Sequence, residues 1–382
     1  MRRTVLNGNK MGKHVRRVVR WLVGGIALLL VMAVGYLAWR STGETTPITG
    51  PNGQPLPWSI AEWTPITVNG TRQWLLIRGQ DRTKPVLLFL HGGPGLPELS
   101  LLTGHELEKH FVVVNWDQRG SGKSYSADVF QPQPGRPPFT VETLVDDAAQ
   151  VSRYLCRRFG QPKIYVLAHS WGTLLGVLTV KKYPEHFRAL FCISQIARQL
   201  EAEQVSYDWV LQQARLHGND RQATKLLRQG RPPYPPDAWL DYLTWQRELV
   251  ARYGGGMYRG HFFPLFIRSI LLSPEYTLTD KLHYARGAQE SVRYLWPAVV
   301  AIDLPTVAPE LKVPYFLFQG VHDYQTPYPI ARRYFNQLTA PQKRLFTFTN
   351  SAHSPIFEEP ERFMHCFNSA LASLHAGKEA RP

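Results

Sequence analysis

The sequence predicts an α/β fold: a doubly wound, mostly parallel central sheet with a helical insertion, preceded by one apolar N-terminal helix. Continuous apolar runs of strand length alternate with segments of helical period, which is the pattern of a parallel sheet covered on both faces. The alternation stops between residues 195 and 311 and then resumes. An uncharged run of nineteen residues lies near the N-terminus, at 21–39. The composition, 44% hydrophobic and 12% aromatic over 382 residues, is that of a folded chain with a large core.

The N-terminal run reads WLVGGIALLLVMAVGYLAW. As a helix it would be about 28 Å long, close to the hydrocarbon thickness of a bilayer. Aromatic residues at both ends suit the two interfaces, and seven basic residues precede the run against one, Arg40, just after it. The positive-inside rule then predicts a basic cytoplasmic tail at 1–20, a single-pass anchor at 21–39, and the rest of the chain outside the cytoplasm.

Two other interpretations of this run remain at the level of sequence. A cleavable signal peptide has an apolar stretch of about 7–15 residues and a small-residue cleavage site, for which Ala33-Val34-Gly35 is a weak candidate. A buried core helix would show a polar face, and this run has none. The anchor is favoured, although the sequence does not establish whether the segment is cleaved.

The net charge of +15 resembles that of a nucleic-acid-binding protein, but its distribution argues against one. Eight of the basic residues precede the first acid, Glu44, which leaves +7 over the remaining chain with acids and bases interspersed. No nucleic-acid recognition motif accompanies the charge. We therefore expect no nucleic-acid partner.

A Thr-, Gly- and Pro-rich segment follows the apolar run and predicts a linker at 40–56. Beyond it, two strand-like runs at 58–68 and 72–78 meet at Asn69-Gly70. This dipeptide favours a tight hairpin, because both turn positions need positive φ.

The remaining segments divide into a core and an insertion. The core is predicted at 57–194 and 312–382, and a helical cap over the carboxyl edge of the sheet at 195–311. Two core helices are expected at 141–159, ending at Gly160, and at 173–182. The apolar runs that predict buried strands are 86–90, 111–115, 164–167, 189–193, 313–318 and 345–349.

A serine lies where one of these strands turns into a helix, in the stretch AHSWG at 168–172. A sharp strand-to-helix turn pushes such a serine to the top of the sheet, and it needs small residues on either side because the backbones approach closely. Ala168 and Gly172 meet that need. Ser170 is therefore the predicted nucleophile.

A serine hydroxyl needs a base, and the base needs a carboxylate that fixes its tautomer. In this fold the chain order is nucleophile, acid, histidine. Asp323 follows the strand at 313–318, and His353 follows the strand at 345–349. Both loops lie at the edge where α/β sites are built, so Asp323 is the predicted acid and His353 the predicted base.

A tetrahedral intermediate also needs donors for its oxyanion. The glycine-rich stretch HGGPG at 91–95 follows a strand and leaves backbone N–H groups free to face a ligand. The N–H of Gly93 and that of Trp171, the residue after the nucleophile, are the predicted pair.

Together HGGPG at 91–95, DQRGSGKS at 117–124 and AHSWG at 168–172 resemble the prolyl iminopeptidase branch of the α/β-hydrolase superfamily, over roughly residues 55–375. The resemblance implies Ser170, Asp323 and His353 as the triad. It also implies release of an N-terminal residue, typically proline, from a peptide through an acyl-enzyme, with no metal or cofactor.

Members that act as aminopeptidases use cap glutamates to hold the free amine of the substrate. Among Glu201, Glu203, Glu248 and Glu290, the predicted substrate contact is Glu290, although a solvated helix face explains it nearly as well. The expected partners are thus a small peptide or ester substrate, and the membrane through the N-terminal helix.

Alternatives to the peptidase remain. The same triad serves a carboxylesterase or lipase-like enzyme acting on small acyl esters, which an aromatic, acid-poor cap would favour. A non-catalytic binding protein is disfavoured because every element of the machinery is present in the sequence. The three cysteines, Cys156, Cys192 and Cys366, have no metal-ligand spacing, and buried thiols are favoured over a disulfide.

Overall fold

The central element is one twisted sheet of eight strands, found in a computed structural model that describes residues 8–260 and 262–379. The strands are β1 (Ile60–Val68), β2 (Thr71–Gly79), β3 (Val86–Leu90), β4 (Val112–Asp117), β5 (Ile164–His169), β6 (Phe187–Ile193), β7 (Tyr315–Gly320) and β8 (Lys343–Phe348). Their order across the sheet is β1-β2-β4-β3-β5-β6-β7-β8. The β1–β2 and β2–β4 pairs are antiparallel and the other pairs are parallel. The predicted fold class is confirmed.

Apart from α1, the helices cover the two faces of the sheet or form the insertion. They are α1 (Gly8–Arg40), α2 (Leu99–Leu102), α3 (Leu107–His110), α4 (Val141–Phe159), α5 (Trp171–Lys182), α6 (Gln199–Leu216), α7 (Asp220–Gln229), α8 (Trp239–Arg252), α9 (Phe262–Leu272), α10 (Leu278–Ala301), α11 (Leu304–Val307), α12 (Tyr328–Gln337), α13 (Pro355–Glu358) and α14 (Pro360–Glu379). Each predicted strand is present, with ends shifted by a few residues at most.

Local signals account for several boundaries. The hairpin turn has positive φ at both Asn69 (44°) and Gly70 (72°), as its sequence predicts. Helix α4 begins where the Thr140 side chain accepts the N–H of Thr143, and it ends at Gly160 in the left-handed conformation. Helix α5 begins two residues earlier than predicted, because Ser170 alone makes the turn from β5.

The segment from α6 to α11 lies between β6 and β7 and contacts loops at the carboxyl ends of several strands. A Cβ on Gly95, after β3, would lie 2.6 Å from Ser291 Oγ of α10. A Cβ on Gly287 of α10 would lie 2.4 Å from the carbonyl oxygen of Gly120, after β4. The stretch between α8 and α9 accepts the N–H of Tyr324, after β7. These contacts put the insertion over the carboxyl edge of the sheet.

Helix α1 projects from this body. Residues Val15–Arg40 form a stretch of helix that is long and apolar enough to cross a membrane. Its most apolar part is not buried against the rest of the protein. Residues 1–7 of the expected cytoplasmic tail lie outside the described residues. The predicted linker is held to the domain rather than extended, since Arg78 donates to Thr45 Oγ1 and to the carbonyl oxygen of Thr46.

A buried ion pair fixes the loop after β4. Arg119 donates two hydrogen bonds to the Asp147 carboxylate of α4, at 2.7 and 2.9 Å, and both side chains are fully buried. The same carboxylate accepts the side-chain N–H groups of Asn69 at 2.7 Å and Gln73 at 2.9 Å. One carboxylate thus connects the hairpin, the β4 loop and α4.

We predict that Asp147→Asn destabilises the protein by about 3–5 kcal/mol, because it leaves the Arg119 charge buried without a counterion. Urea unfolding of the full-length protein in detergent measures the loss. The neighbouring substitution Asp146→Asn is the matched control: it breaks the largely exposed pair with Lys182 and should cost about 1 kcal/mol or less. Equal effects of the two substitutions would contradict the structural role of Asp147.

Candidate active site

Ser170 occupies a strained turn between β5 and α5. Its backbone has φ 53° and ψ −120°, a region that residues other than glycine rarely adopt. Its N–H donates to the carbonyl oxygen of Ile193 in the neighbouring strand β6. A Cβ on Gly172 would lie 2.0 Å from the carbonyl oxygen of Leu90, so the turn tolerates only glycine there. The close approach expected from the small flanking residues is therefore present.

Three side chains from three loops meet at this turn. Ser170 Oγ lies 2.9 Å from His353 Nε2, and His353 Nδ1 lies 2.9 Å from Asp323 Oδ2. Asp323 follows β7 and His353 follows β8, so both arrive at the carboxyl edge of the sheet. The structure brings together the three residues that the sequence singles out, in the order hydroxyl, imidazole, carboxylate.

The environment of Asp323 favours its charged form. Burial on its own would raise the pKa of this carboxyl group, but the facing His353 and the hydrogen bonds from Thr326 hold it below the ordinary value. Asp323 Oδ1 accepts the backbone N–H groups of Gln325 at 2.8 Å and Thr326 at 2.9 Å. The carboxylate is thereby fixed in position and kept ionised opposite the imidazole.

The backbone of His353 is held from two sides. Its carbonyl oxygen accepts hydrogen bonds from Ser194 Oγ at 2.7 Å and from His169 Nε2 at 2.9 Å. Its N–H donates to the carbonyl oxygen of Gly256, in the connection between α8 and α9. The core and the insertion together therefore orient the imidazole.

The HGGPG loop lies against the serine. A Cβ on Gly92 would lie 3.3 Å from Ser170 Cβ, and Gly93 has φ 113°, a value that favours glycine. The Gly92 N–H is taken by the Glu98 carboxylate at 3.1 Å. Among the described residues, neither Gly93 N–H nor Trp171 N–H has a hydrogen-bond acceptor. These are the two groups that the sequence predicts as oxyanion donors.

The DQRGSGKS loop joins the two other motifs. The Gln118 side chain donates to the carbonyl oxygen of His91 at 3.3 Å and accepts the indole N–H of Trp171 at 2.9 Å. Asp117 of the same loop accepts the Tyr276 hydroxyl of the insertion. Burial raises the pKa of Asp117 to about 7. Gln118 is a site residue that the sequence did not single out.

Sequence reasoning also missed the pair formed by His169 and Glu98. His169 Nδ1 lies 2.7 Å from Glu98 Oε1, and both side chains are buried. Burial on its own would lower the pKa of His169, yet the adjacent Glu98 raises it above the ordinary value. Burial would likewise raise the pKa of Glu98, but His169 lowers it. His169 also donates to the His353 carbonyl oxygen, so this pair connects the HGGPG loop with the histidine loop.

The four cap glutamates that the sequence offers as substrate contacts are each paired with an arginine. Glu290, the predicted substrate contact, is half-buried on α10 and lies 3.5 Å from Arg293. Glu203 is fully buried and accepts Arg247 Nη1 at 3.0 Å, and it is linked through Gln199 to the loop of Asp323. Glu201 pairs with Arg333 and Glu248 with Arg252. Glu203, rather than Glu290, has the hydrogen-bonded connection to the triad.

The other reactive side chains lie apart from this site. The three cysteines are free thiols, with Cys192 buried and Cys156 and Cys366 partly exposed. Within residues 8–260 and 262–379, no group of three or more His, Cys, Asp or Glu side chains has a metal-binding arrangement.

Fold and sequence comparison define the class of this protein. The family profile described as alpha/beta hydrolase fold matches residues 85–360, and the chain belongs to this family.

Comparison with individual proteins shows which members of this family the chain resembles. The chain is 32% identical to the probable aminopeptidase YbaC of Bacillus subtilis (strain 168), over 80% of this chain and 94% of that protein. The structure of the proline iminopeptidase from Mycobacterium smegmatis aligns with a TM-score of 0.57 at 17% identity, covering 83% of this chain and all of that one. A membrane phospholipase A described as a bacterial virulence factor aligns at 0.56 and 16% identity, over 95% and 99% of the two chains. The resemblance to prolyl iminopeptidases is confirmed.

We predict that Glu98→Gln lowers the free energy of unfolding most between about pH 4.5 and 6.5. These limits are the ordinary pKa values of the Glu98 carboxyl group and the His169 imidazole. The contribution of Glu98, whose pKa is lowered, is present above about 4.5 and lost as pH falls through that lowered pKa. The contribution of His169, whose pKa is raised, is present below about 6.5 and lost as pH rises through that raised pKa.

Thermal unfolding of both proteins from pH 4 to 9 measures this profile. The expected difference is about 1–3 kcal/mol at its maximum, the cost of leaving a buried polar group unpaired, and it should shrink at alkaline pH. Glu106→Gln, which removes a half-exposed carboxylate paired with Lys109, is the control and should have little effect. A loss in Glu98→Gln that is constant across pH would refute the ionised pair.

Proposed function

We propose that this protein is a membrane-anchored serine hydrolase that releases amino-terminal residues from peptides, in the manner of a prolyl iminopeptidase. The observation that carries the proposal is the continuous contact from Ser170 through His353 to Asp323. The similarity to a probable aminopeptidase over most of both chains supports the choice of peptide substrates.

In this mechanism Ser170 Oγ attacks the carbonyl carbon of the scissile amide while His353 Nε2 accepts the hydroxyl proton. The carbonyl π electrons move to the oxygen and give a tetrahedral intermediate. His353 then donates the proton to the leaving nitrogen, the C–N bond breaks, and the acyl group remains on Ser170. A water molecule, deprotonated by His353, attacks the ester and releases the acid with the free serine.

The surrounding groups stabilise the charges that appear during these steps. The N–H groups of Gly93 and Trp171 bind the oxyanion, and the helix α5 that begins at Trp171 adds its positive end. Asp323 stays ionised and stabilises the imidazolium that forms on His353. The buried pair of Glu98 and His169 acts indirectly. It fixes the backbone of Gly92 on one side of the serine and the backbone of His353 on the other.

Helix α1 is the proposed anchor. Its apolar part spans the bilayer, the basic N-terminal residues stay in the cytoplasm, and the hydrolase domain lies outside. Support comes from the length of Val15–Arg40 and from its exposure on all sides, which a core helix would not show.

A carboxylesterase of small acyl esters is the second candidate, and one observation favours it. An aminopeptidase needs a carboxylate to hold the ammonium group of its substrate, whereas the cap glutamates Glu201, Glu203, Glu248 and Glu290 each have an arginine partner. An ammonium group bound by any of these four carboxylates would have to displace its arginine. An ester substrate makes no such demand.

A substrate panel distinguishes the two candidates. For full-length protein in detergent, we expect turnover of prolyl and other aminoacyl arylamides. Acetylation of the substrate amine should lower kcat/KM by about tenfold or more, since a lost hydrogen bond to a charged group costs about 1.5–3 kcal/mol. Turnover of p-nitrophenyl esters alone, with no arylamide cleaved, would refute the peptidase and select the esterase.

Two serine variants complete this measurement. Ser170→Ala should lower every turnover by about a thousandfold or more. Ser126→Ala, which alters an exposed serine in the loop after β4, should leave the rates unchanged.

A further inference from the structure

The end of the proposed anchor is fastened to one edge of the cap. Arg40 donates to the carbonyl oxygen of Leu272, at the end of α9. Ser41 Oγ accepts Lys281 Nζ of α10 at 2.6 Å. Gly43 N–H donates to the carbonyl oxygen of Pro274, between the two helices, at 2.8 Å. The junction of α9 and α10 therefore lies where α1 ends.

The same edge of the cap exposes a group of large apolar side chains. Two lie four residues apart on α9, and two lie four residues apart on α10, so each pair shares one face of its helix. Their exposed fractions are 37% for Ile267, 42% for Leu271, 38% for Leu278 and 76% for Leu282. We call these four residues the α9–α10 apolar surface. Single exposed leucines are common on soluble proteins, but a cluster beside a membrane-spanning segment needs an explanation.

The residues around the α9–α10 apolar surface are of the kinds found at a bilayer interface. Lys281 Nζ also donates to the carbonyl oxygen of Leu271, so a cation lies within the α9–α10 apolar surface. Trp39, 73% exposed, and Tyr36, 51% exposed, stand at the end of α1 beside it. Aromatic and basic residues around an apolar helix face are the composition of segments that lie in the headgroup region of a membrane.

The opposite face of α9 is committed to the protein interior. Phe266 and Ile270 are buried, at 4% and 5% exposure, in a cluster with Leu99 of α2 and Tyr284 of α10. Leu99 lies four residues after the last glycine of the HGGPG loop. One face of helix α9 therefore packs against α2, which follows the HGGPG loop, and the other face is exposed.

We propose that the α9–α10 apolar surface lies in the headgroup region of the membrane that α1 crosses, so that the cap of the hydrolase rests on the lipid. The inference depends on the membrane anchoring in the proposed function, and it adds a second contact between protein and bilayer. The occupant is the lipid interface because the surface is continuous with the point where α1 leaves the bilayer.

Site-directed fluorescence in vesicles tests this contact. Full-length protein with Cys156→Ser and Cys366→Ser receives one cysteine, at Leu271 or Leu282, which carries an NBD label. The protein is reconstituted into phosphatidylcholine–phosphatidylglycerol vesicles that contain a lipid with a nitroxide near the headgroup. We expect blue-shifted emission at both positions and several-fold stronger quenching than for Leu216→Cys, at the end of α6, whose exposed fraction of 69% lies between those of Leu271 and Leu282.

A label at Val31, within α1, separates the inference from the anchoring on which it rests. If Val31 is shielded in the bilayer and labels at 271 and 282 behave like the label at 216, the cap does not touch the lipid and the inference is overturned, while the anchor stands. If the label at 31 is also exposed to water, the anchoring fails and the inference fails with it. Because the readout does not involve catalysis, neither result depends on the identity of the substrate.

Discussion

The parallel register of four neighbouring strands, β5 to β8, is the constraint on which the rest of this structure depends. In the sheet, His169 of β5 pairs with Ile193 of β6, and Ile193 pairs with Phe318 of β7. Gly320 of β7 pairs with Phe348 of β8. The four strands therefore end at the same level, and neighbouring strands lie only about 5 Å apart, so the loops that follow β5, β7 and β8 all start along one short edge of the sheet. Ser170 can meet His353 and Asp323, which are more than 150 positions away in sequence, because this register brings their loops to the same edge of the sheet.

The register alone would not give the observed geometry, since loops can move. Buried polar contacts fix them. Glu98 holds the HGGPG loop through the Gly92 N–H and holds His169, which in turn holds the His353 backbone. Partners left unsatisfied in such a buried network cost far more than each bond contributes when made, so the network has one low-energy arrangement. The orientation of the His353 imidazole is thereby connected to the position of the HGGPG loop, which lies on the opposite side of Ser170.

The fold, and the three side chains that meet at the end of β5, could be predicted because both depend on local patterns. Strands buried on two faces are continuous apolar runs, and the elbow, Asp323 and His353 each follow such a run. Several strand ends differ by a residue or two from those predicted, and α5 begins two residues early because Ser170 alone makes the turn from β5. Gln118 lies within the DQRGSGKS motif and Glu98 lies close to HGGPG, but neither residue was predicted to have a role, because the role of each arises from contacts with residues that are distant along the chain. The arginine partners of the cap glutamates were missed for the same reason.

Labelling with a fluorophosphonate probe, followed by peptide mapping, tests the central claim most directly, because it reads the reactivity of one hydroxyl without assuming a substrate. The account predicts a single adduct on the peptide between Lys163 and Lys181, which contains Ser170, and loss of labelling in His353→Ala. An adduct on another serine, or labelling of Ser170 that proceeds as fast without His353, would contradict it.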